Sequence, residues 1–231
     1  MKFETKCLHA GYSPKNGEPR VQPIVQSTTY TYDSAEEIGK LFDLQAAGYF
    51  YTRLANPTTN AAEEKITALE GGVATMCTAS GQSAVFYAML NILEAGDHFI
   101  SSSYVYGGTY NLFAHTFKKM GIEVTFVDQD LPLEELKKAI RPNTKAVFAE
   151  TIANPALRVL DIEKFAALAK AAEAPLLVDN TFATPYFCRP IEFGANVVIH
   201  STSKYLDGHA IALGGSITDC LLYTSPSPRD G

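Results

Sequence analysis

A lysine closes an apolar run in "NVVIHSTSKYLDGHA", residues 196–210, where three hydroxyl residues stand between the run and the ammonium of Lys204. An aspartate closes another, in "PLLVDNT", where Asp179 is followed by Asn180 and Thr181. Further apolar runs end in Ser80-Gly81-Gln82, in Tyr104 to Gly108 and in Glu150 to Pro155. Each ending has an ordinary explanation when taken alone. A lysine after a strand is commonly a solvated charge, an aspartate there starts a turn, Ser80 caps a helix and Tyr106-Gly107-Gly108 makes a turn. Taken together they are the parts of a pyridoxal phosphate site. That chemistry needs a lysine to bond the cofactor aldehyde and an acid to keep its pyridine nitrogen protonated, since only the protonated ring accepts carbanion electrons. Lys204 and Asp179 fit these two roles. The phosphate needs backbone N–H groups at a helix start and hydroxyl donors, which Gly81, Gln82, Ser201 and Ser203 supply. The ring of Tyr106 is suited to cover the cofactor face.

The elements that must position these residues follow from periodicity. The pattern predicts helices near 60–70, 82–93, 109–120, 132–140 and 162–172, alternating with strands at 74–78, 98–102, 123–127, 146–149 and 176–178, before the apolar run that precedes His200. Near-continuous apolar strands between amphipathic helices imply a mostly parallel sheet with helices on both faces. Ligands of such sheets bind at the carboxyl ends of the strands, where the candidate residues all fall. Residues 1–58 are polar, rich in Pro, Gly, Thr and Tyr, and read as an irregular arm with one short helix capped by Ser34.

Composition excludes several partners. The chain has 231 residues, 46% hydrophobic, and a net charge of -6 without a basic stripe, so it offers nothing to a nucleic acid backbone. No run approaches the roughly 18 apolar residues of a membrane span, and the first residues lack the pattern of a secretory signal. These features predict a cytoplasmic protein with no membrane partner. Cys7, Cys77, Cys188 and Cys220 stand far apart, which argues against a metal site or a disulfide framework.

Six segments carry a resemblance: YTRLANPT (51–58), SGQSA (80–84), YGGTY (106–110), ETIANP (150–155), DNTFATP (179–185) and HSTSKYLDGH (200–209). In this order they resemble the Cys/Met-metabolism pyridoxal phosphate enzymes, from Phe3 to Asp219. The resemblance implies an α/β fold, the large domain of the fold type I, aspartate aminotransferase-like transferases. It implies Lys204 as the cofactor lysine, Asp179 at the ring nitrogen and Tyr106 stacked on the ring. It places Asn154 near the phenolic oxygen with Thr181 close by, and has Gly81, Gln82, Ser201 and Ser203 hold the phosphate. Tyr51 and Arg53 would reach the phosphate of a neighbouring subunit, which implies a homo-oligomer, typically a tetramer. Within the family the arm looks most like that of O-acetylhomoserine sulfhydrylases, which convert O-acetylhomoserine and sulfide or a thiol to homocysteine or methionine and acetate. The γ-lyases and cystathionine γ-synthases share the early steps and remain alternatives, as does a catalytically incomplete cofactor-binding piece. The resemblance divides the chain into an arm (1–58), a cofactor-binding large domain (59–219) and a tail outside the family pattern (220–231), and implies that a C-terminal small domain is missing.

Overall fold

A computed structural model describes residues 1–220, so the segment read as a tail lies, apart from Cys220, outside the described residues. The chain divides into two units, Met1–Ala68 and the residues from Leu69 onward.

The first unit holds α1 (Phe3–His9), α2 (Ala35–Phe42) and the greater part of α3 (Pro57–Glu70). Ser34 caps α2 as expected, its hydroxyl accepting the Glu37 N–H. Nothing in the apolar spacing announces α1. It has no buried residue, but Glu4 in its first turn and Lys6 and His9 in its last complement the helix dipole, and Lys6 Nζ reaches the Ala68 carbonyl at 3.2 Å. Between the helices the backbone is held largely by side chains. Asn56 Nδ2 donates to Val25 O, and Thr58 Oγ1 accepts the Val25 N–H. A single bridge pairs Thr29 with Tyr51.

The second unit is built on one seven-stranded sheet. Its strands are β1 (Ala74–Thr78), β2 (His98–Ser102), β3 (Glu123–Val127), β4 (Thr144–Glu150), β5 (Leu176–Asp179), β6 (Val197–His200) and β7 (Gly215–Asp219). They lie in the order β1-β7-β6-β5-β4-β2-β3. The strands β3, β2, β4, β5 and β6 run parallel, and β7 runs antiparallel between β6 and β1. The connecting helices are α4 (Gly81–Leu90), α5 (Gly107–Asn111), which runs into a π turn at Leu112–Phe117, α6 (Leu133–Leu136), α7 (Ile162–Ala171) and α8 (Thr184–Phe187).

Alternation along the strands shows why both faces are covered. Phe99, Phe148 and Leu177 join Met89, Phe113 and Phe117 in one core, while their neighbours Ile100, Val147, Leu176 and Val178 join Phe165 and Leu168 in another. The sheet is thus mostly parallel with helices on both faces, as expected.

In the second unit, two further features differ from the sequence reading, besides the π turn. The segment of β7 has no strand signal of its own; it becomes a strand because β1 and β6 pair with it on both sides. The helix expected to start at Thr109 begins at Gly107 despite the poor propensity of glycine. A β-carbon on Gly108 would lie 2.5 Å from Cε1 of Tyr106, so a glycine there lets the tyrosine ring lie back over the helix start. Among the described residues no helix is long and apolar enough to cross a membrane, and no cluster of His, Cys, Asp and Glu could hold a metal.

Candidate cofactor site at the carboxyl edge of the sheet

The sheet register decides which strand ends become neighbours. Glu150 pairs with Asp179, and Asp179 with Ile199, so the last residues of β4 and β5 stand side by side. Phe148 and Leu177, two residues earlier, both enter the first core, which puts the two carboxyls on that same face. Just beyond β6 come Ser201, Ser203 and Lys204. A cavity of about 260 Å³ opens at this edge. It brings together Gly81, Gln82, Tyr106, Asn154, Asp179, Thr181, Ser201, Ser203 and Lys204, all of the second-unit residues that the sequence singles out for the site. Tyr51 and Arg53 lie in the first unit, where the Arg53 guanidinium sits 5.2 Å from the centroid of the Tyr51 ring.

Each wall has a local cause. Ser80 caps α4 by accepting the Ser83 N–H at 3.1 Å. A β-carbon on Gly81 would fall 2.5 Å from Cβ of Ser201 and 2.9 Å from its hydroxyl. Glycine is therefore what lets the first turn of α4 approach the end of β6. Gln82 Nε2 donates to Thr109 Oγ1 at 3.1 Å, tying the starts of α4 and α5. Asp179 Oδ1 accepts two bonds from Thr181, from its N–H at 3.0 Å and its hydroxyl at 2.5 Å. Thr181 Oγ1 in turn accepts the Ser201 N–H at 2.8 Å, which links the ends of β5 and β6. Ser203 Oγ accepts the Gly214 N–H at 2.9 Å, fixing the loop that leads into β7.

Glu150 is a member that sequence reasoning about the site missed. Its signal was present: an acid closing an apolar strand, as Asp179 does. Its Oε1 accepts the Tyr106 N–H at 2.6 Å and its Oε2 the Asn154 N–H at 3.4 Å. Burial, then the charge of Asp179, pushes its carboxyl up to about 8, against the pull of those two N–H donors. Burial also raises Asp179, opposed by the Thr181 hydroxyl and N–H and by His200. Ile152, Phe182 and Leu213 add apolar walls.

Behind the sheet lies a second unforeseen cluster. His200 follows Ile199 and so turns to the face opposite Asp179, where Nε2 meets Glu70 Oε1 at 2.5 Å. Asn180 Nδ2 donates to the same oxygen at 3.1 Å and to Cys188 O at 2.8 Å. These contacts hold the chain immediately after Asp179 and before Ser201.

The residues present suit a phosphate-bearing pyridine. The glycine at the start of α4 leaves room beside the Ser201 hydroxyl, an amine and a tyrosine ring line the same walls, and the neighbouring acids Glu150 and Asp179 are of the charge that a cationic ring nitrogen would offset.

The model of the family described as "Cys/Met metabolism PLP-dependent enzyme" matches residues 4–224. An O-acetyl-L-homoserine sulfhydrylase of Leptospira meyeri is 48% identical over 95% of the chain and 50% of its own length. An L-methionine gamma-lyase of Fusobacterium nucleatum subsp. polymorphum is 44% identical over 92% of the chain and 54% of its own. Among solved structures, a Campylobacter jejuni protein described as an O-acetylhomoserine (thiol)-lyase and carrying N'-pyridoxyl-lysine-5'-monophosphate superposes with a TM-score of 0.90. That structure is 38% identical and is matched over 95% of the chain and 54% of its own length. The chain spans about half the length of the curated relatives it matches.

Proposed function

The chain belongs to the Cys/Met metabolism PLP-dependent enzyme family, and from that premise we propose that its site serves a γ-replacement: O-acetyl-L-homoserine with sulfide or methanethiol gives homocysteine or methionine and acetate. The observation that carries this reading is the meeting of Lys204, Asp179, Tyr106 and the Gly81–Ser201 approach in one cavity. When bound, the cofactor supplies a protonated pyridine ring that accepts electrons from the substrate's α carbon.

The roles of the chain's own residues follow from their chemistry. Lys204 fixes the cofactor aldehyde, and its amine, when not so engaged, is the base that takes the substrate's α proton. Asp179 keeps the ring nitrogen protonated, and Thr181 holds Asp179 in place through two hydrogen bonds. Gly81, Gln82, Ser201 and Ser203 hold the phosphate, and Asn154 approaches the phenolic oxygen. Tyr106 covers the ring and moves protons near the leaving acetate. Tyr51 and Arg53 act in this reading on the phosphate of a neighbouring subunit, for which a guanidinium fork is well suited, so the working form is a homo-oligomer, a tetramer by family habit. Residues 1–58 are then an arm, and 59–219 the cofactor-binding domain.

The relative that is a methionine γ-lyase supports a second reading, in which water rather than a thiol intercepts the same chemistry. Acetate release from O-acetylhomoserine, with and without sulfide, separates the two. Release that depends on sulfide and yields homocysteine supports replacement, whereas sulfide-independent release with ammonia and a keto acid supports elimination. Borohydride treatment followed by peptide mapping tests the cofactor lysine directly: label on any peptide other than that of Lys204 overturns the assignment.

A further inference from the structure

Glu150 is a buried acid lining the cavity to which the chemistry above assigns no task. Its two oxygens are bonded unequally, Oε1 to the Tyr106 N–H at 2.6 Å and Oε2 to the Asn154 N–H at 3.4 Å. The two donors belong to the loops that carry the stacking ring and the amide meant for the phenolic oxygen. Beside Glu150, in register, stands Asp179, whose Oδ1 already accepts two bonds from Thr181. Hydrogen bonds to a carboxylate favour its charged form. Of the two acids Asp179 is therefore better kept as the anion, and a proton held by the pair belongs on Glu150 Oε2, the oxygen with the weaker bond.

We propose that Glu150 is a positioning residue that carries a proton on Oε2 in the cofactor-free protein and releases it to solvent when a cationic ring nitrogen faces Asp179, drawing the Asn154 N–H onto the freed oxygen. Only an O–H bond breaks and no electrons change hands; the proton leaves to buffer. This rests on the cofactor reading given above. The direction in which burial and Asp179 push the Glu150 carboxyl agrees with it. The titratable groups around the pair are the Tyr106 phenol and the Lys204 ammonium, which line the same cavity, and His200, one residue beyond β6's pairing with β5. Arg158, from the loop after β4, is turned away to Asp130 at 2.8 Å.

The first test needs no cofactor. An acid whose proton is held in the fold but lost from the unfolded chain makes stability fall with rising pH, between the unfolded carboxyl range and about 8. The thermal midpoint of the cofactor-free chain, measured from pH 5 to 8.5, should show this fall; Glu150→Gln should reduce it, leaving the part that the raised Asp179 carboxyl contributes, and Asp179→Asn should reduce it too. A fall of the same slope in wild type and both variants overturns the shared proton. The second test titrates pyridoxal phosphate by its absorbance at several pH values. Below pH 8 the wild-type affinity should gain up to about tenfold per pH unit more than that of Glu150→Gln. Equal pH slopes in the two proteins overturn the coupling even if the cofactor binds. If no binding occurs at any pH, the cofactor reading falls and the coupling with it, while the stability slopes still decide where the proton sits.

Discussion

The two ends of the central sheet both bury titratable side chains and treat them in opposite ways. At the amino end, His98 opens β2 between Thr144 Oγ1 and Thr125 Oγ1, each 2.8 Å from a ring nitrogen. One nitrogen donates and the other accepts, so the neutral ring is fully satisfied. Burial, reinforced by the Arg141 charge and opposed by Glu123, pushes its pKa down to about 4. At the carboxyl end, Glu150 and Asp179 are placed side by side in a cavity, where burial and the charge of Asp179 push the Glu150 carboxyl up. The first end is complete in itself, whereas the second, in the function proposed above, is completed by the cofactor. The difference teaches that this fold leaves electrostatic tension where something is meant to bind, in line with the strain that functional sites retain at the expense of stability.

The comparison breaks most sharply at Lys204. Lys204→Ala should abolish borohydride fixation of the cofactor altogether while leaving the amino end of the sheet untouched; a label that persists in the variant means that the lysine is misassigned. Asp179→Asn comes next. A neutral amide cannot hold the ring nitrogen protonated, so cofactor should remain bound while turnover drops about a hundredfold or more, the scale on which single preorganised charges act. Turnover near wild type in this variant would show that the carboxyl end does not work through Asp179.

Gly81→Ala is expected to have a smaller effect. Its methyl would press on Ser201 at a would-be separation of 2.5 Å, and overpacking of this kind costs about 1–3 kcal/mol. The thermal midpoint should fall and phosphate affinity weaken, with inorganic phosphate as a simple probe; an unchanged affinity would remove Gly81 from the phosphate cradle. The mildest effect concerns His98. Its folded pKa lies below the ordinary 6.5, so its contribution to stability is complete above that pH and is lost as pH falls toward 4. The midpoint of the cofactor-free chain should therefore decline on acidification through this window, and His98→Gln should flatten the decline. The sign is opposite to that expected of Glu150, so the two ends can be titrated apart in one protein.

Much of this architecture is legible in the residues. The runs at 74–78, 98–102 and 123–127 are β1, β2 and β3 residue for residue, because a short strand is marked by a compact run bounded by polar turn residues, whether it lies buried within the sheet as β2 does or at its edge as β1 and β3 do. Lys204, Asp179 and Ser80-Gly81-Gln82 could be singled out because each closes such a run or follows it within a few residues. The π turn at Leu112–Phe117 and the strand β7 could not, since neither has a periodicity of its own and β7 exists through its pairing with β1 and β6.

The sequence by itself thus determined most of the elements of the second unit and the reactive side chains that follow them, through local periodicity, turn residues and caps. Only the tertiary structure decided who meets whom. That Glu150 stands beside Asp179 depends on the β4–β5 register, that Gly81 admits Ser201 depends on how α4 meets β6, and that His200 lies against Glu70 depends on which face of the sheet each reaches. These are relations between segments distant in the chain. Side-chain packing and interstrand hydrogen bonding settle them when the sheet closes, and no local pattern encodes them.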